Sequence, residues 1–329
     1  MSTSVDDIQL LPWQTIAWQQ FLRYYTQHRL PHALLITAAP GLGQLQLAQL
    51  IAQLVLCTAP DNNQACGACS SCRLLKSGNH PDYFLLQPEY ESKVIKIDAI
   101  RTLSHQLAQS AQQSGYKVII INPADALNIA ASNALLKTLE EPMENTLLIL
   151  LSEHAERLLP TLRSRCQRLT ISPIVNQQTQ KWLQANNITD AEQWLLLSEH
   201  APLLALELAR DETKQTEYAT FIKAMQTFQQ TQDPIITAAM LIKLDAGNLC
   251  VWLSQFYMDI IRLFITGSAQ FIAHQGCLSE LEQLSKQYSL STLFAAYDIV
   301  IQLYKLLSKP NNVNVQLQLE AALIEIVKL

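Results

Sequence analysis

A short apolar run over residues 33–36 leads into the turn Ala39-Pro40-Gly41-Leu42-Gly43 and then into a helical stretch. No other feature of the sequence restricts the fold as much. A strand that feeds a helix through a glycine turn is the opening of a phosphate-binding α/β domain. Further short apolar runs follow at 83–86, 118–121, 147–151 and 167–171, with helical segments between them, notably 97–111 and 130–140. Strands alternating with helices predict a mainly parallel sheet covered on both faces. Ahead of the first run, Trp18, Phe21, Leu22 and Tyr25 recur at helical spacing and predict an amphipathic opening helix. Pro142 stops the helix that ends in Leu139-Glu140-Glu141, because proline drives the residue before it out of the helical region.

After about Ser172 the strand signals stop, and the remainder reads as helical, with Phe221, Met225 and Phe228 on one apolar face. Pro173 and the polar run 176–180 predict a linker, and Asp211-Glu212-Thr213 a second, weaker boundary. The expected plan is an α/β domain over 1–172, a small helical domain over 173–212 and a larger helical domain over 213–329. A chain of 329 residues is long enough for two or three such cores. The apolar run 249–265 is broken by Gln255, Asp259 and Arg262, so a buried helix is expected there and not a membrane span. The start, residues 1–7, is polar and acidic, unlike an export signal, which makes the cytoplasm the expected address. The formal net charge of −5 argues against a protein that grips nucleic acid unaided, since phosphate contacts call for a basic excess.

Four of the seven cysteines cluster as Cys57, Cys66, Cys69 and Cys72, in the pattern C-x8-C-x2-C-x2-C. With no export signal, such a cluster points to metal before disulfides. Four thiolates can close a tetrahedron around zinc and leave no position for water or substrate, so the expected zinc is structural, pinning an insertion over 57–72. His80 follows closely, but with the site already full a turn or capping role is expected for it. Cys166, Cys250 and Cys277 are expected to be buried small hydrophobes.

A working phosphate loop reads G-x-x-x-x-G-K-[ST], with the lysine on the β/γ-phosphates and the hydroxyl on magnesium. Here the same frame reads Ala38-Ala39-Pro40-Gly41-Leu42-Gly43-Gln44-Leu45. Gly41 and Gly43 keep the turn, but the lysine is replaced by Gln44 and the hydroxyl by Leu45. A charge-assisted hydrogen bond is worth about 1.5–3 kcal/mol, so the lost lysine alone costs roughly ten- to a hundred-fold in affinity. Downstream, Asn122 stands where the magnesium aspartate belongs and Pro123 where a water-activating glutamate belongs, and Asp125 comes late in the turn. Two separate defects predict no functional ATP/magnesium site and no hydrolysis. Taken without its surroundings, the glycine turn could also be a strand-to-helix turn that never held a nucleotide.

His32-Ala33-Leu34-Leu35-Ile36, the degenerate loop, the four-cysteine insertion and His80-Pro81-Asp82-Tyr83 occur in that order, followed by the run from Asn133 through Leu139-Glu140-Glu141-Pro142 and by Leu162-Arg163-Ser164-Arg165-Cys166. Together they resemble the AAA+ subunits of the bacterial DNA polymerase III clamp loader, well over about 10–172 and in outline beyond. The resemblance implies an AAA+ fold with a parallel five-stranded sheet, a helical lid and an all-α collar. Motor members, gamma and tau, keep the loop lysine and threonine, so this chain is similar to a non-motor member. Leu203 lies where the family's lid carries a phosphate-sensing arginine, and His200 and Ala201 replace its glycine and serine. The implied partners are gamma/tau motor subunits and the delta subunit in a hetero-oligomeric ring, with the sliding clamp and primer-template DNA reached through the complex. The implied role of Arg165 is a trans-acting arginine finger for a neighbour's ATP, a group worth about 10³–10⁵ in rate. Read without the motif, Arg163, Arg165 and Arg168 form a solvated basic edge. Lys137, Glu140 and Glu141 are either helix-surface pairs or an interface patch. Two rival readings are an active ATPase with unorthodox phosphate chemistry and a zinc-dependent nucleic-acid adaptor.

Overall fold

The computed structural model describes residues 8–89, 92–107, 111–113, 115–173, 177–307 and 314–329. The polar start at 1–7, residues 108–110 of the helix expected over 97–111, and residues 174–176 of the expected linker lie outside them. The chain forms two compact units, Met1–Thr179 and Gln180–Leu329.

In the first unit the elements run α1 (Thr15–Thr26), β1 (Ala33–Ala38), α2 (Gln44–Leu56), α3 (Ser70–Lys76), β2 (Tyr83–Leu86), α4 (Ile97–Leu107), β3 (Lys117–Ile121), α5 (Ile129–Glu140), β4 (Thr146–Ser152), α6 (Pro160–Arg163) and β5 (Gln167–Ile171). The five strands form one sheet in the order β2-β3-β4-β1-β5, and every pair is parallel. This is the AAA+ α/β architecture, with the strand that feeds the glycine turn lying between β4 and β5. The inner strands bury both faces, which is why they read as unbroken apolar runs: β3 is buried at every residue and β4 at all but its first. Leu35, Ile119, Ile121, Leu148 and Leu150 project to one face, against Ile100 and Leu103 of α4 and Leu135 and Leu139 of α5. Helix α2 contributes Leu47, Ile51 and Leu54 to the buried interior and packs on β1, β3 and β4.

The second unit is helical wherever it is described: most of α7 (Gln177–Ala185), then α8 (Ala191–Leu197), α9 (Pro202–Arg210), α10 (Glu212–Thr231), α11 (Pro234–Leu241), α12 (Ala246–Thr266), α13 (Leu278–Gln287), α14 (Leu290–Leu307) and α15 (Val315–Val327). Part of the expected linker proves helical, since α7 already starts at Gln177. Polarity alone misreads this segment: glutamine is a good helix former, and a surface helix needs few apolar residues. Asp211 marks a break between helices, where its carboxylate caps α10 by accepting from the amides of Thr213 and Lys214.

Helix α12 is the axis of the larger core. It and α14 are long and apolar enough to cross a membrane by composition alone. The interior of α12, however, is spent on Trp252, Phe256 and Ile260 packed against Phe221 and Met225 of α10. Two polar residues that interrupt its apolar run are buried with partners. Gln255 Nε2 donates to the Leu197 carbonyl at 3.0 Å. Asp259, fully buried, accepts from the amides of Ala273 and His274 and pairs with His274 Nδ1 at 2.9 Å, while Arg262 donates to its other oxygen at 3.0 Å. A buried carboxylate is tolerable only with this much hydrogen bonding. Phe221 lies within 5.7 Å of the Trp252 ring and 5.5 Å of the His274 ring, centroid to centroid, with no exposed surface. Phe221→Ala is therefore expected to lower unfolding stability by about 3–5 kcal/mol, read as a fall in the urea midpoint of the full chain.

Candidate functional site

Two constellations come out of the α/β unit, a sulfur cluster after α2 and a loop-and-arginine arrangement at the ends of the sheet. The sulfur cluster starts where α2 stops. Cys57 is the C-cap of that helix, and Cys69 is the N-cap of α3, so two helix ends bring the four cysteines together. All four Sγ atoms lie within 4.8 Å of one another, with Cys57 to Cys66 at 3.6 Å and Cys57 to Cys69 at 3.9 Å. Tetrahedral zinc with Zn–S of about 2.3 Å needs sulfurs about 3.8 Å apart. The cluster fits that group.

Its electrostatics fit as well. The amide of Cys66 donates to Cys57 Sγ, that of Cys69 to Cys66 Sγ and that of Cys72 to Cys69 Sγ, at 3.3 to 3.4 Å. Amides aimed at sulfur favour thiolates. The amides of Ala68 and Cys69 hold the Cys66 thiol below its ordinary range. Burial works to raise Cys69, but hydrogen bonds from Thr58 and the Cys72 amide outweigh it and bring the thiol down to about 5. Burial pushes Cys57 and Cys72 up. Four adjacent thiols cannot all ionise unaided, and a bound dication would stabilise the thiolates so that the remaining protons are released to solvent.

His80 does not join the cluster. Its Nδ1 accepts from the Asp82 amide at 3.1 Å, which leaves the Nε2 proton for Ser71 Oγ at 2.7 Å, and Ser71 donates onward to the Leu56 carbonyl. Burial lowers the His80 pKa and keeps the ring neutral. The histidine thus ties α3 and the approach to β2 back to the end of α2, the turn role expected of it. Asp82, fully buried, accepts from the amides of Gln112 and Gln113, each at 2.8 Å.

The glycine turn keeps its shape. Gly41 and Gly43 both sit at φ 76°, in the left-handed region where a side chain would be strained. The turn is fastened by the residues before α1: Trp13 Nε1 donates to the Leu42 carbonyl at 3.0 Å, and Gln14 Nε2 to the carbonyls of Leu42 and Gly43 at 3.1 and 2.8 Å. Leu42 is fully buried. Gln44 Oε1, Asp125 Oδ1 and Ser152 Oγ are buried with no hydrogen-bond partner among the described residues. Ser152 ends β4 directly beside Thr37 of β1. Glu153 follows it, its pKa raised by burial and then by the Asp125 carboxylate. Between α8 and α9, Glu199 and His200 hold φ of 52° and 63°, a left-handed turn made without glycine, at the cost of local strain.

Arg165 lies elsewhere. It follows α6 and precedes β5, so it belongs to the opposite edge of the sheet from Gly43 and Gln44. Its Nη2 donates to Glu140 Oε1 at 2.8 Å and its Nη1 to the Thr161 carbonyl at 3.1 Å. Arg163 and Arg168 do not share this pair; Arg168 offers its backbone carbonyl to Gln20 Nε2 at 3.3 Å. Cys250 and Cys277 are buried as expected, whereas Cys166 is half-buried; burial raises the thiols of Cys166 and Cys250 to about 11 and that of Cys277 to about 12, which makes all three poor nucleophiles. The sequence reading missed the Trp13 and Gln14 fastening and the Arg165–Glu140 pair. Each spans a sequence separation that no local pattern reveals.

A family model described as DNA polymerase III, delta subunit, matches residues 13–175, and one described as DNA polymerase III, delta subunit, C terminal, matches residues 213–328. The chain is 32% identical to DNA polymerase III subunit delta' of Pseudomonas aeruginosa, over 96% of this chain and 97% of that one. To the subunit delta' of Escherichia coli it is also 32% identical, over 96% of this chain and 94% of the other. Among solved structures, a DNA polymerase III gamma subunit-related protein of Thermotoga maritima is 18% identical, over 94% of this chain and 98% of that chain, with a TM-score of 0.47.

Replacing Cys69 by serine is expected to abolish stoichiometric zinc, one ion per chain before the change and none after, by elemental analysis of chelator-washed protein. The thermal midpoint should fall with it, because a structural zinc contributes its binding free energy to folding.

Proposed function

This chain belongs to the delta-prime family of DNA polymerase III subunits, and from that premise we propose that it serves the clamp loader as a non-hydrolysing member which lends Arg165 to the ATP site of a neighbouring subunit. One observation carries the reading. β5 runs parallel to β1 with Gln167 opposite Leu34 and Ile171 opposite Ala38. At about 3.3 Å per residue, the advance from Leu34 to Ala38 alone is about 13 Å. Arg165 precedes one end of that register and the glycine turn follows the other, so the guanidinium is out of reach of its own chain's loop. A finger at this place can serve only another chain.

The chain's own loop supports the same division of labour. It keeps a turn but offers Gln44 and Leu45 where a cation and a magnesium ligand are needed, with Asn122 at the end of β3. Cys57, Cys66, Cys69 and Cys72 would hold zinc, which when bound supplies a rigid tetrahedral cross-link and no open coordination position. The chain's own residues do the remaining work there: Ser71 and His80 couple the cluster to α2 and β2. We retain a three-part division, with 1–172 as the AAA+ domain, 173–212 as a lid and 213–329 as the collar that joins gamma/tau and delta subunits. A separate small core of Leu183, Ile188, Ala191, Leu195 and Ala205 supports the lid, and the family match beginning at 213 supports the collar. Contact with the sliding clamp and primer-template DNA is then made through the assembled complex, in the cytoplasm.

The isolated chain is expected to turn over no ATP. In the assembled complex, Arg165→Ala should lower DNA-stimulated hydrolysis, with the served site losing about 10³-fold or more in single-turnover rate. Undiminished hydrolysis by that complex would remove the finger role. Turnover by the isolated chain that vanished on altering Gln44 or Asn122 would restore the rival reading of an active ATPase.

A further inference from the structure

The acidic pair that closes α5 is badly placed for the helix. Glu140 is its last residue and Glu141 its C-cap, with Lys137 the basic residue of the last turn. The end of a helix carries partial negative charge from its free carbonyls, so carboxylates there are disfavoured. Helix stability therefore does not account for Glu140. The fold gives it a partner 25 positions away: Glu140 Oε1 accepts from Arg165 Nη2 at 2.8 Å. The other end of the same guanidinium donates to the Thr161 carbonyl of α6 at 3.1 Å. Two helices thus hold the two terminal nitrogens of one side chain.

A guanidinium has five N–H donors in a rigid fork. The contacts with Glu140 and Thr161 occupy only part of that fork, and the pair is open to a second chain, with Arg165 and Glu140 side chains 37% and 51% exposed. We propose that Glu140 is a positioning residue for Arg165: it fixes the guanidinium so that its remaining donors face an anionic group, the phosphate of a nucleotide, presented by a neighbouring subunit. This rests on the reading of Arg165 as a group acting in trans. A long side chain already held in place loses less conformational freedom when it engages its target than one that is free. Cancellation of the Arg165 charge is the opposing effect. At an exposed pair it is weakened by solvent and salt, whereas the direction imposed by two hydrogen bonds is not.

The test uses the reconstituted clamp-loader complex, with assembly checked by gel filtration, carrying Glu140→Ala, Glu140→Gln, Arg165→Ala or the Glu140→Ala/Arg165→Ala double change. DNA-stimulated hydrolysis is resolved into kcat and KM for ATP. Glu140→Ala is expected to lower kcat about two- to five-fold, the range an exposed pair can supply, with KM unchanged. Glu140→Gln, which keeps an acceptor oxygen, should recover most of the loss. On the Arg165→Ala background, Glu140→Ala should add nothing. A Glu140→Ala loss that persists in full on that background would mean the carboxylate works elsewhere, and the inference is overturned. It is also overturned, with the trans reading left standing, if Arg165→Ala is impaired while Glu140→Ala matches the parent. If Arg165→Ala itself leaves hydrolysis unchanged, the trans reading falls and takes this inference with it.

Discussion

In a parallel sheet every strand points the same way, so one edge collects all the strand ends that lead into helices and the other collects all the ends that arrive from them. That polarity organises the α/β unit. The glycine turn, Gln44, Asn122 and Ser152 belong to the first edge; Arg165, arriving from α6 into β5, belongs to the second. The sheet itself is secured by burial of β1, β3 and β4 on both faces, so the distance between its two edges is fixed by core packing and not by loops. A side chain at one edge cannot act on a ligand at the other.

At the first edge the loop has kept its geometry and lost its charges. A phosphate loop is normally held open for an anion by amides and a lysine. Here the turn is fastened from outside: the indole of Trp13 donates to the Leu42 carbonyl, and the side-chain amide of Gln14 to the carbonyls of Leu42 and Gly43. Those bonds preserve the left-handed glycines without a nucleotide to organise them. The turn therefore has a structural reason to keep its shape that does not depend on a ligand.

Among the described residues, the buried carboxylates Asp82 and Asp259 both accept from backbone amides. Asp82 caps the segment at Gln112 and Gln113, and Asp259 gathers Ala273, His274 and Arg262 around α12. Each is a buried carboxylate whose loss would strand several donors at once, which makes these residues fold-specifying and not catalytic. The Arg165–Glu140 pair differs in kind. It is exposed and contributes little to stability.

The sequence alone determined the order of strands and helices, the missing lysine and the cysteine cluster, because each is written in local spacing. Apolar runs mark strands buried on both faces, C-x2-C spacing marks a shared ligand centre, and a loop position either carries a cation or does not. It also predicted the strands to within a residue or two, with β2 and β5 matching the runs at 83–86 and 167–171. Only the tertiary structure decided that Gln177 onward is helix and not linker, that the partner of His80 is Ser71, that Trp13 and Gln14 fasten the turn, and that Arg165 meets Glu140 at the far edge of the sheet. Those outcomes depend on which distant segments the packed sheet and helices bring within hydrogen-bond reach, and no local pattern of residues encodes a distance across the core.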